Sequence, residues 1–394
     1  MQAVAHARLR RAASPERAGL AAFELSALVD EVDALPARGW CSGAVVLAGR
    51  GPYVVVERAT GWAVRYASWD PVAGAGVELP EKHWEPTRTD TLFDLASLTK
   101  LFTAIATVQQ VERGALDLDR AVGGYVPEFA AAGKELVTVR QLLTHTSGLR
   151  PELPFYEHAQ AAPAAGSGAV RGELLTPLWE ERLLSRPGSV YRYSDLNLIA
   201  LQHILERLTG RGLASLVREG ITGPLGMADT GYGPVPAARA AATEDQRRPW
   251  AKADRGMLRG TVHDENAAAL GGVAGHAGLF STAADLAVLC RTLLTGGAYG
   301  TARILAPSSV ATLLAPPGLG FHVDQPWFMG ELAGPLSEGR AAGHTGFTGT
   351  SLVLDPVTDT FLILLANTVH PVRRAHPDNT PRAAAATHLA RAVR

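Results

Sequence analysis

Strand-forming runs stand at both ends of this 394-residue chain, and the long middle is helical or irregular. Near the N-terminus, residues 42–48 and 53–57 are valine-rich and are joined by Gly49-Arg50-Gly51-Pro52, which predicts a hairpin. Residues 61–66 form a candidate third strand, followed by a Pro/Gly-bearing loop over 70–90. Near the C-terminus, residues 349–354 and 360–366 are predicted to pair across Asp355-Pro356-Val357-Thr358-Asp359. The economical solution is one sheet built from both termini, with helices predicted at 19–35 and 381–393 on one of its faces. This predicts an α/β (α+β) fold with a discontinuous lobe, residues 1–95 and 286–394. An all-helical lobe over 96–285 completes it, with a site at the seam between the two.

The helical middle opens with Leu95-Ala96-Ser97-Leu98-Thr99-Lys100. Leu98, Leu101, Ile105 and Val108 recur at helical period, and Gly114 is a natural stop, so a helix is predicted over 96–113. Ser97 falls in the apolar arc and Lys100 at its border, one turn apart on one face. Thr99, Thr103 and Gln110 take the opposite side. A hydroxyl and an amine facing a core at a helix N-terminus are the parts of an activated nucleophile. Further helices are predicted over 137–144, 197–208, 214–219 and 282–294. Residues 151–172 read as a surface excursion, 234–246 as a loop, and the glycine-dense 270–278 as a close-packed turn.

Net charge is −1, and the arginines are dispersed, which argues against a nucleic-acid or membrane-surface partner. Only Lys82, Lys100, Lys134 and Lys252 are lysines among the 37 basic residues. Cys41 and Cys290 are far apart, and no disulfide framework or cysteine metal site follows. Residues 1–17 lack an apolar signal region, so a cytoplasmic location is expected. No Gly-x-Ser-x-Gly elbow and no Gly-x-x-x-x-Gly-Lys-Ser loop is present. His263-Asp264-Glu265 with His276 invites a metal reading, but no His-Glu-x-x-His spacing supports it. No metal and no cofactor are expected; the expected partner is a small ester or amide substrate, and the default state is a monomer.

Two further stations follow Ser97. Tyr193-Ser194-Asp195 precedes a helix, and His344-Thr345-Gly346 precedes Phe347 on a strand near the C-terminus. Alone, Tyr193 reads as a core aromatic and His344 as a satisfied surface residue of an edge strand. In order, Ser-x-x-Lys, Tyr-Ser-Asp and His-Thr-Gly resemble the signature of the serine β-lactamase and penicillin-binding-protein superfamily. The nearest branch is the class C β-lactamase-like group, with its D-alanyl-D-alanine carboxypeptidases and family VIII esterases. Leu142-Leu143-Thr144-His145-Thr146-Ser147-Gly148-Leu149, Pro224-Leu225-Gly226-Met227 and Gly278-Leu279-Phe280-Ser281-Thr282 resemble it too, so the likeness spans about residues 39–371.

The resemblance implies a β-lactamase/transpeptidase-like fold, an antiparallel sheet flanked by helices plus a helical lobe. It implies Ser97 as a nucleophile that becomes an acyl-enzyme, with Lys100 or Tyr193 as the base. It implies backbone amides of Ser97 and Phe347 as oxyanion donors, and Asp195, His344, Thr345, Gly346 and Phe347 as substrate-binding residues. Two positions depart from the common pattern. Asp195 stands where Asn is frequent and cannot donate to a substrate amide when ionised. His344 stands where many β-lactamases carry Lys, a permanent charge. The expected activity is that of a serine hydrolase on a small ester or amide, an esterase first. A D-amino-acid peptidase or carboxypeptidase, a β-lactamase and an acyltransferase are alternatives. A catalytically silent peptidoglycan- or partner-binding protein is the alternative of another class.

Overall fold

The computed structural model describes residues 8–159, 172–334, 340–376 and 378–394. Most of the expected surface excursion over 151–172 lies outside the described residues. Six strands carry the argument: β1 (Gly43–Arg50), β2 (Tyr53–Val64), β3 (His322–Val323), β4 (Ala342–Thr345), β5 (Ser351–Asp355) and β6 (Thr360–Ala366). They belong to one eight-stranded sheet whose order runs from Arg10–Arg11 through β2, β1, β6, β5 and β4 to β3; Glu85–Pro86 pairs with β2 beside this path. The two ends of the chain meet where β6 runs antiparallel to β1, from Thr360 opposite Arg50 to Ala366 opposite Ala44. The pairings from β2 across to β3 are all antiparallel. This is the fold class expected from the sequence.

The strand period of two decides what covers each face. Val45 and Leu47 of β1, with Phe361, Ile363 and Leu365 of β6, join the large core shared with the helical part of the chain. Ala44, Val46 and Ala48, with Leu362 and Leu364, face the opposite way. Both faces are apolar because both are covered. Five helices matter most: α1 (Ala22–Asp33), α2 (Thr99–Glu112), α3 (Asp195–Thr209), α4 (Ala283–Leu294) and α5 (Thr380–Ala392). Helices α1 and α5 pack side by side on the second face through Leu25, Leu28 and Leu389. Helix α4 packs against β6 and β1 on the first. Among the described residues no helix is long and apolar enough to cross a membrane.

Helix α2 is more central than its sequence pattern predicts. Every residue from Thr99 to Gln110 is buried, including the face expected to be polar. That face is satisfied by backbone rather than by water. Thr103 Oγ1 donates to the Gly275 carbonyl at 2.7 Å, and Thr99 Oγ1 accepts from the Leu279 amide at 3.2 Å. Gln109 Nε2 donates to the carbonyls of Gly220 and Ile304. The glycine-dense segment therefore lies directly along α2.

Two local expectations need correction. Residues 61–66 do not form a separate strand, because β2 continues to Val64 and Tyr66–Asp70 instead pairs with Ala75–Glu78. The expected loop over 234–246 ends in a buried strand, Ala242–Gln246, paired with Gly256–Arg259. Its polar residues read as a loop, yet ion pairs and hydrogen bonds allow their burial. Glu244 is fully buried because Arg373 and His263 both reach it.

The close approach of 270–278 generates a stability prediction. A Cβ on Gly275 meets the Leu198 carbonyl oxygen at 2.1 Å, a backbone atom that cannot rotate away. Gly275→Ala is expected to lower stability by about 1–3 kcal/mol, the usual cost of overpacking. Gly212 is the control, because a Cβ there meets nothing within 4 Å and its φ is ordinary. Urea unfolding of both alanine variants checks this, and equal midpoints contradict it.

Candidate active site

The nucleophile candidate stands at a sharp corner. Phe93–Asp94 pairs with Leu279–Ser281, and Leu95 donates to the Leu279 carbonyl at 2.9 Å. The chain then turns through Ala96, whose φ of 45° is unusual for a residue with a Cβ. The buried Asp94 carboxylate holds this corner: it accepts from the Ala96 amide at 2.8 Å and the His263 amide at 2.6 Å. Ser97 follows, half-buried, in a 3₁₀ turn that leads into α2.

One turn on, Lys100 is fully buried. Its Nζ donates to Ser97 Oγ at 2.7 Å and to the His276 carbonyl at 3.2 Å. It also lies 2.8 Å from Asp195 Oδ1 and 4.9 Å from the centre of the Tyr193 ring. Burial works against the charge, but Asp195 and then Tyr193 outweigh it, and the ammonium is held above the usual lysine range. Burial raises Tyr193 above an ordinary phenol; Lys100 pulls it down, and Asp195 adds to the rise. The Tyr193 hydroxyl interacts with both Lys100 and Ser97. The arrangement joins a hydroxyl, an ammonium and a phenol in one hydrogen-bonded cluster.

The Tyr-Ser-Asp stretch is clamped by the His145-Thr146-Ser147-Gly148 turn. His145 stacks on Tyr193 with ring centres 4.7 Å apart. Its Nδ1 lies 3.1 Å from both the Ser194 amide and Asn197 Nδ2, so it accepts, and the proton resides on Nε2. Burial and the neighbouring Lys100 push His145 down to about 3, so the ring is neutral. Ser147 Oγ donates to Asn197 Oδ1 at 2.6 Å, and Ser194 Oγ to the Arg150 carbonyl at 2.6 Å.

The third station lies on β4, which is not an edge, because β3 pairs outside it. His344 is buried, contrary to the surface reading of this residue taken alone. Burial, with His322 and Lys100 nearby, keeps it well below the usual histidine range. Its Nδ1 is 2.7 Å from the Thr345 carbonyl, which can only accept, so Nδ1 carries the proton and Nε2 the lone pair. His344 is therefore no substitute for a permanent lysine charge. Gly346 must be glycine, since a Cβ there meets Thr350 Oγ1 at 2.1 Å and the Leu95 carbonyl oxygen at 2.5 Å. Phe347 is half-exposed, its ring centre 5.6 Å from that of His263 and 5.7 Å from the Arg373 guanidinium.

The loop after β4 is tied to the corner before Ser97. Thr348 Oγ1 donates to the Asp94 carbonyl at 2.7 Å and Thr350 Oγ1 to the Leu95 carbonyl at 3.1 Å. The backbone amides of Ser97 and Phe347 are not used in the hydrogen-bond network of the described residues. Two free donors on two cross-braced segments suit stabilisation of a developing oxyanion.

These elements surround a cleft of about 380 Å³. Ser97, Tyr193, His344, Thr345, Gly346 and Phe347 line it. Asp195 is not among the lining residues and instead faces Lys100. Other lining residues carried no motif in the sequence, among them His322, Trp327, Arg374 and Arg382. Nothing in the local sequence of His322 marks it, and Arg382 is one arginine in an alanine-rich helix. The residues that invited a metal reading are otherwise engaged. His263 binds Glu244 at 2.8 Å, and His276 binds Asp264 at 2.9 Å. Asp195, Asp264 and His276 bring atoms within 4.8 Å of one another, and the cation on this group is the Lys100 ammonium.

Comparison with known proteins follows the same lines. The Beta-lactamase family profile matches residues 28–387. A protein of Escherichia coli (strain K12) named "Putative D-alanyl-D-alanine carboxypeptidase" is 36% identical over 318 residues, 74% of this chain and 72% of that one. Among solved structures, EstCE1, described as a hydrolase with promiscuous acyltransferase activity, superposes with a TM-score of 0.68 at 21% identity. That match covers 93% of this chain and 99% of EstCE1. A penicillin-binding protein homologue from Caulobacter crescentus also gives 0.68, at 24% identity, covering 94% and 97% of the two chains. At these identities the two structures speak for the fold alone. By the family match and the curated relative, the chain belongs to the Beta-lactamase family and is a serine hydrolase of it.

Proposed function

We propose that this hydrolase acts through a Ser97 acyl-enzyme on small amides and esters whose leaving group bears a carboxylate, a carboxypeptidase-type activity. In this reading Ser97 Oγ attacks the acyl carbonyl while the Ser97 and Phe347 amides receive the oxyanion. Tyr193 takes the serine proton as it attacks and hands it to the departing nitrogen or oxygen. Lys100, held as an ammonium, stabilises the phenolate as it develops. Water then adds to the acyl-enzyme along the same proton route, releasing the acid and restoring Ser97.

The observation that carries the substrate class is Arg382. It lines the cleft, yet its side chain is buried, with only 5% of the residue exposed. Its guanidinium donates to Asn379 Oδ1 and, at 3.0 Å, to the Gly346 carbonyl. It meets no carboxylate at ion-pair distance among the described residues. Burial pulls it down to about 10, with Asp378 opposing, so it stays charged at neutral pH. A buried cation without a counter-ion in a substrate cleft is suited to an anionic substrate group. Between the neutral-ester preference and the carboxypeptidase alternative raised by the sequence, this residue favours the second. The curated relative's name is in keeping with it. Asp195, which alone argues for neutral esters, has its charge offset by Lys100 at 2.8 Å.

Two outcomes test the reading. For two esters that differ only in a free carboxylate against a carboxamide on the leaving group, wild type is expected to favour the carboxylate. A charge-assisted hydrogen bond of about 1.5–3 kcal/mol gives roughly 10–100-fold in kcat/KM. Arg382→Gln is expected to erase that ratio; a ratio near one in wild type contradicts the proposal. The second outcome concerns Lys100. Removing the carboxylate 2.8 Å away while leaving the burial lowers the lysine pKa, by about 1–3 units for a charge so close. Asp195→Asn is therefore expected to move the alkaline fall of kcat/KM to lower pH, because the ammonium that supports Tyr193 is lost earlier. Superimposable pH profiles show that Lys100 does not act as a cation.

A further inference from the structure

The cleft has a second wall that the carboxylate reading leaves unused. From Tyr193 it continues to His322, stacked at 6.2 Å and 19°, and from His322 to Trp327 at 5.9 Å. His344 closes it, 4.5 Å from His322 and 5.9 Å from Tyr193. Both histidines are neutral: burial and the positive Lys100 push His322 down to about 4, and His344 lies well below its usual range. The wall is thus a run of uncharged rings that starts at the Tyr193 phenol and ends at Trp327, which meets His322 edge to face. Trp327 is 42% exposed although it lines the cleft, and Tyr191 at the same cleft is 55% exposed. Large exposed aromatics gathered at one opening leave apolar surface for a ligand to cover.

Chemistry says which part of the substrate meets this wall. The group that takes the serine proton returns it to the leaving group, so the leaving group lies against Tyr193. The atoms beyond the scissile bond on that side therefore pass His322 and Trp327, while their carboxylate reaches Arg382 beside Gly346. A methyl side chain on the leaving residue leaves the exposed surface of Trp327 and Tyr191 bare. A flat ring covers them by stacking or edge contact.

We infer that the Tyr193–His322–Trp327 wall selects an aromatic leaving-group residue, so that the preferred substrate is an acyl amide or ester of an aromatic amino or hydroxy acid with a free carboxylate. The inference rests on the carboxylate reading above and adds the side chain. In the reaction, the acyl–N or acyl–O bond breaks as the Ser97 ester forms, and the aromatic acid departs with the proton from Tyr193.

The test uses the N-acetylglycyl esters of phenyllactate and lactate, each enantiomer, as free acids and as carboxamides. Within the preferred enantiomer, kcat/KM is expected to be ten-fold or more higher for phenyllactate, in line with burial of about one aromatic ring. Trp327→Ala and His322→Gln are each expected to bring the phenyllactate-to-lactate ratio down by about five-fold or more. Trp327→Leu keeps apolar bulk without the ring; in it the ratio falls to an intermediate value. A wild-type ratio near one, or a ratio that survives both Trp327→Ala and His322→Gln, overturns the inference. Because the ratio is read on carboxamides too, a ring preference without a carboxylate preference overturns the reading of Arg382 and leaves the aromatic wall standing.

Discussion

The site depends on a lysine that has been taken wholly out of water. Lys100 is fully buried, and an isolated ammonium there would lose its proton. It keeps the proton because each direction offers a partner: Asp195 at 2.8 Å, Ser97 Oγ at 2.7 Å, the His276 carbonyl at 3.2 Å and the Tyr193 ring. Those partners come from separated parts of the chain. The ammonium therefore ties site and fold together: the charge that the proposed chemistry uses also gathers the start of α2, the start of α3 and the 270–278 segment. The lysine and the tyrosine are both held above their usual ranges, which favours an ammonium and a neutral phenol at rest. In the proposed mechanism the proton of Ser97 moves within this cluster as the attack proceeds.

The second constraint is the alignment of two segments that are about 250 residues apart in sequence. The corner at Ala96 and the loop after β4 are braced by Asp94, Thr348 and Thr350, with Gly346 small enough to let the backbones meet. Arg382 adds a tie from α5 through the Gly346 carbonyl. These ties hold the free amides of Ser97 and Phe347 without using them. A donor pair fixed before the reaction needs no reorganisation when charge develops. Beside Phe347 lies a group of Glu244, Glu265, His263 and Arg373, of which His263 and Arg373 approach the ring. Removing Arg373 leaves two interior carboxylates without their shared cation.

Much of this was legible in the sequence, for identifiable reasons. The sheet from both termini followed from where strand-forming runs stand, and α2 from the spacing of Leu98, Leu101, Ile105 and Val108. Ser97 and Lys100 stood out because their residue types at that spacing are costly to bury without a purpose, and Tyr193 only through the order of the three motifs and the family they resemble. What stayed hidden was settled by contacts between distant segments. Thr99 and Thr103 look like part of a solvent face until Leu279 and Gly275 supply backbone partners. Residues 242–246 look like a loop until Arg373 arrives to neutralise Glu244. His344 looks like a surface histidine until β3 covers β4. His322 and Arg382 carry no local signal, because a pocket wall is assembled from side chains whose neighbours in space are not neighbours in sequence.

The central proposal is that Ser97 is activated by the Lys100–Tyr193 cluster and not by its position alone. The most direct measurement is the second-order rate of labelling by a fluorophosphonate, with the modified peptide mapped by mass spectrometry, in wild type and Tyr193→Phe. The account predicts a label on Ser97 and on no other serine, with a rate that falls by about 10²-fold or more when the phenol is removed and the ring kept. A label elsewhere, or a Ser97 label formed as fast in Tyr193→Phe as in wild type, contradicts it.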